Sequence, residues 1–462
     1  MDSCPEKERG FRGSRRWSHG ASESPSMTCR PSTSPHRRPH CRFRSRFWCT
    51  AAVVCGVAIT ACGSTGSRLS ACCSSDPTVA LSFPSTSSNI HLGLAFDYNA
   101  HDVKAVSRSV DYIFGGYFVD WNSGIHPSVP HIDGYVPFDV DAYPQNAPGH
   151  SLSDWTTRHP AWIVYQCDRR TPAYYGHGDE DVPLDVTNPG VLAYQLAQLD
   201  TLFADGAKGV VFDIFSFTNF TGRCGVYEHG VWKSLGYPPT DHDNARIDVD
   251  ALRWLRNISD AIRSRFPGKT IGLNLNLLDA GSRIREIAPY VDTIFDEEGF
   301  TSYGKQNLSG DAWRTEFDFL QYLNRAGKSV DINAIVAAPN DQGVSATQIN
   351  WVLANYLLVK GAHSYTYIYA GNGRGFTGSP SGYGGFYDRP EYHIAIGHPT
   401  STAITSQGVM MRYYSHGLAI VNPSADRTFS VRLRKPYRDI SGHLSAVLSL
   451  PPTSGIVLLA QP

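Results

Sequence analysis

The chain has 462 residues, enough for one large domain with a small accessory domain or for two or three domains of ordinary size. Its 41 Lys and Arg residues nearly balance its 42 Asp and Glu residues, so no overall field draws it to nucleic acid or to an anionic membrane surface. The composition therefore argues against a nucleic-acid partner and allows a neutral substrate.

The N-terminal region has the composition of a targeting signal. Eight of the ten cysteines lie in the first 73 residues. A basic stretch after Met27 leads into an apolar run from Phe47, FWCTAAVVCGVAITA, which is shorter than the about 20 residues of a membrane-spanning helix. The run ends in ITAC, which resembles a bacterial lipobox, and its cysteine is Cys62. We predict a lipoprotein signal over residues 1–61, with the true start at Met27 and lipidation of Cys62; an ordinary signal peptide is the alternative.

Residues 62–89 are rich in Ser, Thr, Gly and Pro, which is typical of a flexible tether. The expected location is therefore the outside of the bacterial cytoplasmic membrane, on the periplasmic or outer-membrane side, with the protein held there by a lipid. An exported location also makes a disulfide between Cys167 and Cys224 possible.

After the tether, short apolar runs alternate with helical stretches, which is typical of parallel βα units. In the helical stretch after Val191, for example, Leu192, Leu196, Leu199 and Phe203 recur at helical spacing. Eight runs are predicted as strands: IHLGLAFDYN from Ile90, DYIFGG from Asp111, AWIVYQC from Ala161, GVVFDIFS from Gly209, TIGLNLNLLD from Thr270, DTIFDEEGF from Asp292, SVDINAIV from Ser329 and HSYTYIYAG from His363. Eight strands favour an α/β fold of the (β/α)₈ (TIM) barrel type over residues 90–405, with an open doubly wound sheet as the alternative.

The last part of the chain, residues 406–462, has a different pattern. The stretch VMMRYYSHGLAIVNPSADRTFSVRL alternates around the polar turn NPSADR, and the chain closes with SGIVLLAQP. This pattern predicts a small antiparallel β-domain after the barrel.

Catalytic groups of such barrels lie at the C-terminal ends of the strands. Asp213 interrupts the fourth apolar run, and Asp296, Glu297 and Glu298 end the sixth. Adjacent acids raise each other's pKa, as a general acid working near neutral pH requires, and two carboxylates across a pocket suit cleavage of a glycosidic bond. The alternatives are a structural acceptor at Asp213 and a solvated acidic loop at the cluster.

Other chemistries have less support in the sequence. It contains no HExxH motif, no GxSxG elbow, no HxH pair in the first strand and no GxGxxG turn after it, and no Lys ends a predicted strand. The predicted mechanism therefore uses neither a metal nor a cofactor.

Five further residues are predicted to contact a substrate: Asp97, Asn274, Asn276, Tyr303 and Tyr369. The asparagines are suited to hold sugar hydroxyls, and Tyr369 is the tyrosine of the last strand that lies nearest the strand end. For these side chains, packing or hydrogen bonding inside the barrel is the alternative role.

The runs GVVFDIFS and VDTIFDEEGF, the unit ANYLLVKGAHSYTY and the tail HGLAIVNPS together resemble the glycosyl hydrolase-like barrel family numbered fifteen in its series, from about Ile90 to the C-terminus. The chain is more distantly similar to the endo-α-1,4-polygalactosaminidase family. The resemblance implies that Asp213 is a nucleophile and that Glu297 is the acid/base, with Glu298 as the next candidate because the acid is doubled.

We therefore predict a glycoside hydrolase that acts on an extracellular or cell-envelope polysaccharide or oligosaccharide. We expect it to use two carboxylates in a retaining mechanism. The alternative is a surface-tethered carbohydrate-binding lipoprotein that uses the barrel only as a scaffold.

Overall fold

The computed structural model describes residues 90–96, 103–116, 128–141, 148–175, 181–238, 245–373, 376–378, 382 and 385–461. The predicted signal, the tether and Cys62 lie outside these residues, as does Asp97. Within the described ranges, no helix is long and apolar enough to span a bilayer.

Eight parallel strands form one sheet in which each strand pairs with the next along the chain. A parallel bridge from Leu92 to Thr366 joins the first strand segment to the last and closes the sheet into a barrel. The strands are β1 (Gly93–Ala95), β2 (Tyr112–Gly116), β3 (His131–Pro137), β4 (Gly209–Asp213), β5 (Thr270–Asn274), β6 (Thr293–Asp296), β7 (Ser329–Ala337) and β8 (Ser364–Gly371). The prediction of a (β/α)₈ barrel is confirmed.

The third predicted strand, AWIVYQC from Ala161, is wrong. The third barrel strand is β3, and Ala161 lies in a 3₁₀ turn that precedes a short strand, Tyr165–Gln166, of a separate sheet. The sequence of β3, HIDGYVP, contains a glycine and the polar residues His131 and Asp133, whose side chains hydrogen-bond to each other inside the barrel. Its apolar pattern is therefore weaker than that of the Ala161 run.

The helices that follow the strands have clear end signals. In α3, the Asn188 side chain accepts the N–H of Gly190, and Gly206 ends the helix with a left-handed φ of 115°. The helices are α1 (Val103–Ser109), α2 (Leu152–Arg158), α3 (Pro189–Asp205), α4 (Ala245–Arg265), α5 (Leu277–Ala280), α6 (Ile284–Ile287), α7 (Gly310–Arg325) and α8 (Ala346–Val359). The described residues also form 3₁₀ turns at Pro160–Trp162, Gly281–Arg283, Ala288–Tyr290, Gly299–Gly304, Asp341–Gly343 and Pro390–His393.

Two small sheets lie between barrel strands. Val140–Asp141 pairs with Val182–Pro183. Tyr165–Gln166, Arg223–Glu228 and Val231–Ser234 form an antiparallel sheet that the Cys167–Cys224 disulfide links, and we call it the disulfide-linked sheet.

A six-stranded antiparallel sheet ends the chain, as predicted. In spatial order its strands are β9, β10, β11, β14, β12 and β13. Their bounds are β9 (Ile404–Ser406), β10 (Val409–Tyr414), β11 (Gly417–Asn422), β12 (Phe429–Asp439), β13 (Leu444–Leu450) and β14 (Ser454–Ala460).

This sheet covers helix α8. The Val457 N–H donates to the Asn350 side chain, and the Tyr414 hydroxyl donates to the Leu357 carbonyl. Because α8 is enclosed between barrel and sheet, it is buried almost all round, and its sequence is apolar on every side rather than amphipathic.

Aromatic rings fill the barrel interior beneath the strand ends. Phe114 and Phe295 stack with centroids 4.4 Å apart, and Phe96 packs on Phe114 and Tyr135. These side chains form an apolar floor, so polar groups at the C-terminal mouth lie against a surface of low polarity.

Candidate active site

Asp213 is the last residue of β4 and lies half-buried at the C-terminal mouth of the barrel. Its Oδ1 accepts the Asn274 amide at 2.7 Å, and its Oδ2 accepts the Tyr135 hydroxyl at 3.1 Å. The Ile214 N–H is a further donor to the carboxylate. These donors hold the carboxylate in one orientation and favour its charged form.

Ile214 has a φ of 64°. The left-handed region is unfavourable for a β-branched residue and costs on the order of 1–3 kcal/mol. Ile214 directly follows Asp213, so the fold accepts local backbone strain where the strand presents this acid.

Glu297 shares a donor with Asp213. The Asn274 Nδ2 atom that lies 2.7 Å from Asp213 Oδ1 also lies 3.0 Å from Glu297 Oε2. The two carboxyl oxygens therefore cannot be farther apart than the sum of these two distances. Asn274 ends β5, between the strands that carry the two acids, so its position follows from the strand order.

Glu298 has a different partner. Asn276 Nδ2 donates to Glu298 Oε1 at 2.6 Å, while Asn276 Oδ1 accepts the N–H of Asp279 and caps helix α5. The two glutamates of the cluster therefore lie at different sites: Glu297 joins Asp213, and Glu298 joins the start of α5.

Asp296 turns away from the mouth, toward helix α7. It is 2% exposed, and its carboxyl hydrogen-bonds to that of Glu316, which is also 2% exposed. Among the described residues, no N–H or O–H donor reaches Asp296 Oδ2 or Glu316 Oε1. Two such buried carboxyls require a shared proton; burial and the Asp296 charge raise the pKa of Glu316, which holds it.

Electrostatics separate the two mouth acids. Burial raises the pKa of Glu297 to about 8, with the nearby Asp213 charge as the next cause. Burial also raises the pKa of Asp213, but its Asn274, Ile214 and Tyr135 hydrogen bonds act against that rise. Glu298 has a pKa of about 7, chiefly from burial and then from Asp296. Near neutral pH, Glu297 therefore keeps its proton.

Two tyrosines lie close to these acids. Burial raises the pKa of Tyr303, and the charges of Glu297 and Glu298 raise it further. Burial and the charges of Asp213 and Glu297 likewise raise the pKa of Tyr175.

Tyr175 and Tyr135 were not predicted from the sequence. Tyr135 belongs to β3, which was not predicted, and Tyr175 follows the disulfide-linked strand that was mistaken for a barrel strand. The run HIDGYVP, with its polar residues and central glycine, was the sequence signal for the strand that carries Tyr135.

The structure brings Asn274, Asn276 and Tyr303 to the carboxylates, but Tyr369 lies elsewhere. Tyr369 is 1% exposed, accepts the Ala95 N–H and packs against Tyr367 and Phe376. A side chain so buried contributes to packing, and its role as a substrate contact stays a prediction, as does that of Asp97. In the part of the chain that the structure describes, no group of three His, Cys, Asp or Glu side chains is arranged to hold a metal ion.

Comparison with known proteins decides the family. The sequence model of hypothetical glycosyl hydrolase family 15 matches residues 132–418, which is more than half of the chain. The chain belongs to this family. The family that the sequence resembles is thus confirmed, and so is the prediction of a glycoside hydrolase. No curated protein sequence matches the chain significantly.

Three solved structures are similar to this chain at low TM-scores. The α-glucosyl transfer enzyme XgtA has a TM-score of 0.45 and 12% identity, over 81% of this chain and 99% of that one. The glycoside hydrolase domain of PelA from Pseudomonas aeruginosa has a TM-score of 0.37 and 12% identity, over 62% and 95%. Aspergillus fumigatus Ega3, in complex with galactosamine, has a TM-score of 0.36 and 15% identity, over 62% and 92%. At these values the likeness carries no argument about reaction or substrate.

Proposed function

We propose that this chain is a retaining glycoside hydrolase in which Asp213 is the nucleophile and Glu297 is the general acid/base. The observation that carries the proposal is the single amide of Asn274, which donates to both carboxyls. Retaining enzymes hold their two carboxyls about 5–5.5 Å apart, whereas inverting enzymes need roughly 6.5–9.5 Å to admit water. The shared amide supports the shorter spacing.

The proposed first step has Asp213 attack the anomeric carbon while protonated Glu297 gives its proton to the glycosidic oxygen. The bond from carbon to that oxygen breaks, and the leaving sugar departs with the proton. The glycosyl ester on Asp213 carries no charge, so the repulsion that raises the pKa of Glu297 is reduced. Ionised Glu297 can then take a proton from water, which attacks the ester and releases the sugar and the Asp213 carboxylate.

Asn274 and Ile214 have supporting roles in this proposal. Both donate to the Asp213 carboxylate and keep it charged before attack. In this proposal Asn276, which donates to Glu298, and Tyr303 bind sugar hydroxyls. Glu298 is the alternative acid/base, and its bond to Asn276 rather than to Asn274 is the reason that we favour Glu297.

The test compares wild type with Asp213→Asn, Glu297→Gln and Glu298→Gln by release of reducing ends. The polysaccharides are α-1,4-linked galactosaminan, starch, galactan, chitosan and peptidoglycan. General acid–base and nucleophilic groups contribute roughly 10²–10⁴-fold, so the first two variants should lose at least about 100-fold and Glu298→Gln less than about tenfold. Circular dichroism controls for folding.

Full activity of Asp213→Asn would refute the nucleophile assignment, and a larger loss in Glu298→Gln than in Glu297→Gln would move the acid/base to Glu298. A wild-type protein that binds a polysaccharide and releases no reducing ends would instead support the scaffold-only binder.

We also propose that the protein is exported and tethered through a lipid on Cys62. The lipobox-like ITAC sequence and the disulfide, which is typical of oxidising compartments, support this location. Wild type expressed in bacteria should enter the detergent phase of Triton X-114 and take up labelled palmitate, and Cys62→Ser should do neither. Equal partitioning of the two proteins would contradict the proposal.

A further inference from the structure

The disulfide-linked sheet is fastened to the rim of the barrel. It brings together a segment after β3 and a segment after β4, which Cys167 and Cys224 join covalently. Arg223, at the start of its middle strand, forms a buried ion pair with Asp139, just beyond β3. The ion pair therefore ties the sheet to the segment just beyond β3, and the disulfide holds two segments of the sheet together.

A tight turn at one end of this sheet exposes a phenylalanine. The turn runs from Asn219 to Gly222, whose N–H donates to the Asn219 carbonyl at 3.1 Å. The 1% exposed Asn219 side chain donates to the carbonyls of Arg223 and Pro238 and accepts the Arg223 N–H. Phe220, at the tip, is 43% exposed. The hydrogen bonds of Asn219 thus fix the turn, and the turn holds the apolar ring of Phe220 in solvent.

Tyr175 connects this ring with the acids. Its ring meets that of Phe220 edge to face, with centroids 5.3 Å apart. At the same time the charges of Asp213 and Glu297 act on the Tyr175 hydroxyl. Tyr175 lies in the segment after β3 and Phe220 in the segment after β4, so the ring contact joins these two segments.

We propose that Phe220 and Tyr175 form a binding subsite for a sugar ring of the substrate chain, next to the ring whose bond is cleaved. This inference rests on the proposed glycosidase function and gives the substrate a direction across the mouth. The apolar C–H face of a pyranose packs on an aromatic face, while its hydroxyls stay in water. A rigid turn reduces the ordering cost of binding.

Exposed apolar side chains that are scattered singly need no functional explanation, and Val231, 69% exposed on the same sheet, is such a residue. Val231 lies on the edge strand and is not bonded into the turn, so it provides a matched control. Phe220 differs from it by its aromatic ring and by the contact with Tyr175.

The experiment is affinity electrophoresis through gels that contain each of the five polysaccharides, with all proteins in the Asp213→Asn background to prevent digestion. Phe220→Ala, Phe220→Trp and Val231→Ala are compared with this background. We expect the dissociation constant for the retarding polysaccharide to rise about tenfold in Phe220→Ala, as for loss of one aromatic contact, and to stay within about twofold in the other two.

A second measurement uses the active protein. Phe220→Ala should raise KM for the polysaccharide about tenfold and change kcat less than about twofold, since the ring lies beyond the reacting sugar. Equal retardation of Phe220→Ala and the background, or no retardation of the background in any gel, overturns the subsite. Retardation that Phe220→Ala abolishes, in a protein that releases no reducing ends, keeps the subsite and rejects the hydrolase.

Discussion

The raised pKa of Glu297 makes folding stability depend on pH in a defined direction. Folding raises the pKa of this carboxyl from 4.5 to about 8. As pH rises between these values, the unfolded chain ionises Glu297 first and the folded chain holds the proton, so the free energy of unfolding falls. Since one pKa unit corresponds to about 1.4 kcal/mol, the loss from about pH 5 to about pH 8 is roughly 3 kcal/mol.

Glu297→Gln removes this dependence. The amide has nearly the shape of the protonated acid, and its oxygen can still accept the Asn274 N–H. We expect the variant to match wild type within about 1 kcal/mol near pH 5 and to exceed it by roughly 3 kcal/mol near pH 8. Urea unfolding followed by tryptophan fluorescence at both pH values measures the difference.

Glu286→Gln, which changes an exposed carboxyl on α6, is the control and should follow wild type at both pH values. If wild type and Glu297→Gln lose the same stability between the two pH values, Glu297 does not hold its proton in the folded state. Glu297 is then not the general acid of the free enzyme.

Three further outcomes follow from the contacts. Removing the disulfide by Cys167→Ser with Cys224→Ser should cost up to about 4 kcal/mol of unfolding free energy, because the bond closes a loop of 57 residues; an unchanged urea midpoint contradicts this. Glu316→Gln should change stability at pH 7 by less than about 1 kcal/mol, since an amide can replace the protonated acid as donor to Asp296; a loss of several kcal/mol in urea unfolding would show that Glu316 is charged. Asn274→Ala should lower kcat at least about tenfold with native circular dichroism, and unchanged kcat would remove its positioning role.

The sequence predicted seven of the eight barrel strands because each lies in a run rich in apolar residues, as buried parallel strands require. It failed at β3, where Asp133 inside the barrel accepts bonds from His131, Thr270 and Tyr112. Where polar side chains hydrogen-bond to one another across strands, the sequence of the strand has no apolar periodicity from which it could be predicted. The separate run at Ala161 was a better match to a strand and belongs to the disulfide-linked sheet.

The positions of acids at strand ends predicted which strands bring carboxylates to the mouth of the barrel. They could not predict which acid of the cluster has which role. Asp296, Glu297 and Glu298 are consecutive, and their roles differ only through partners on β5, the loop after it and α7: Glu316, Asn274 and Asn276. These contacts join residues far apart in the chain, so no local sequence pattern predicts them. The contact between Tyr175 and Phe220 likewise joins residues that are far apart in the chain.

The anomeric configuration of the first product tests the account most directly. Proton NMR of the polysaccharide that the wild type cleaves, recorded before mutarotation, gives this configuration. Attack by Asp213 followed by water predicts that the product first appears with the same anomeric configuration as the bond cleaved. A product that first appears with the opposite configuration would contradict the pairing of Asp213 and Glu297 through Asn274.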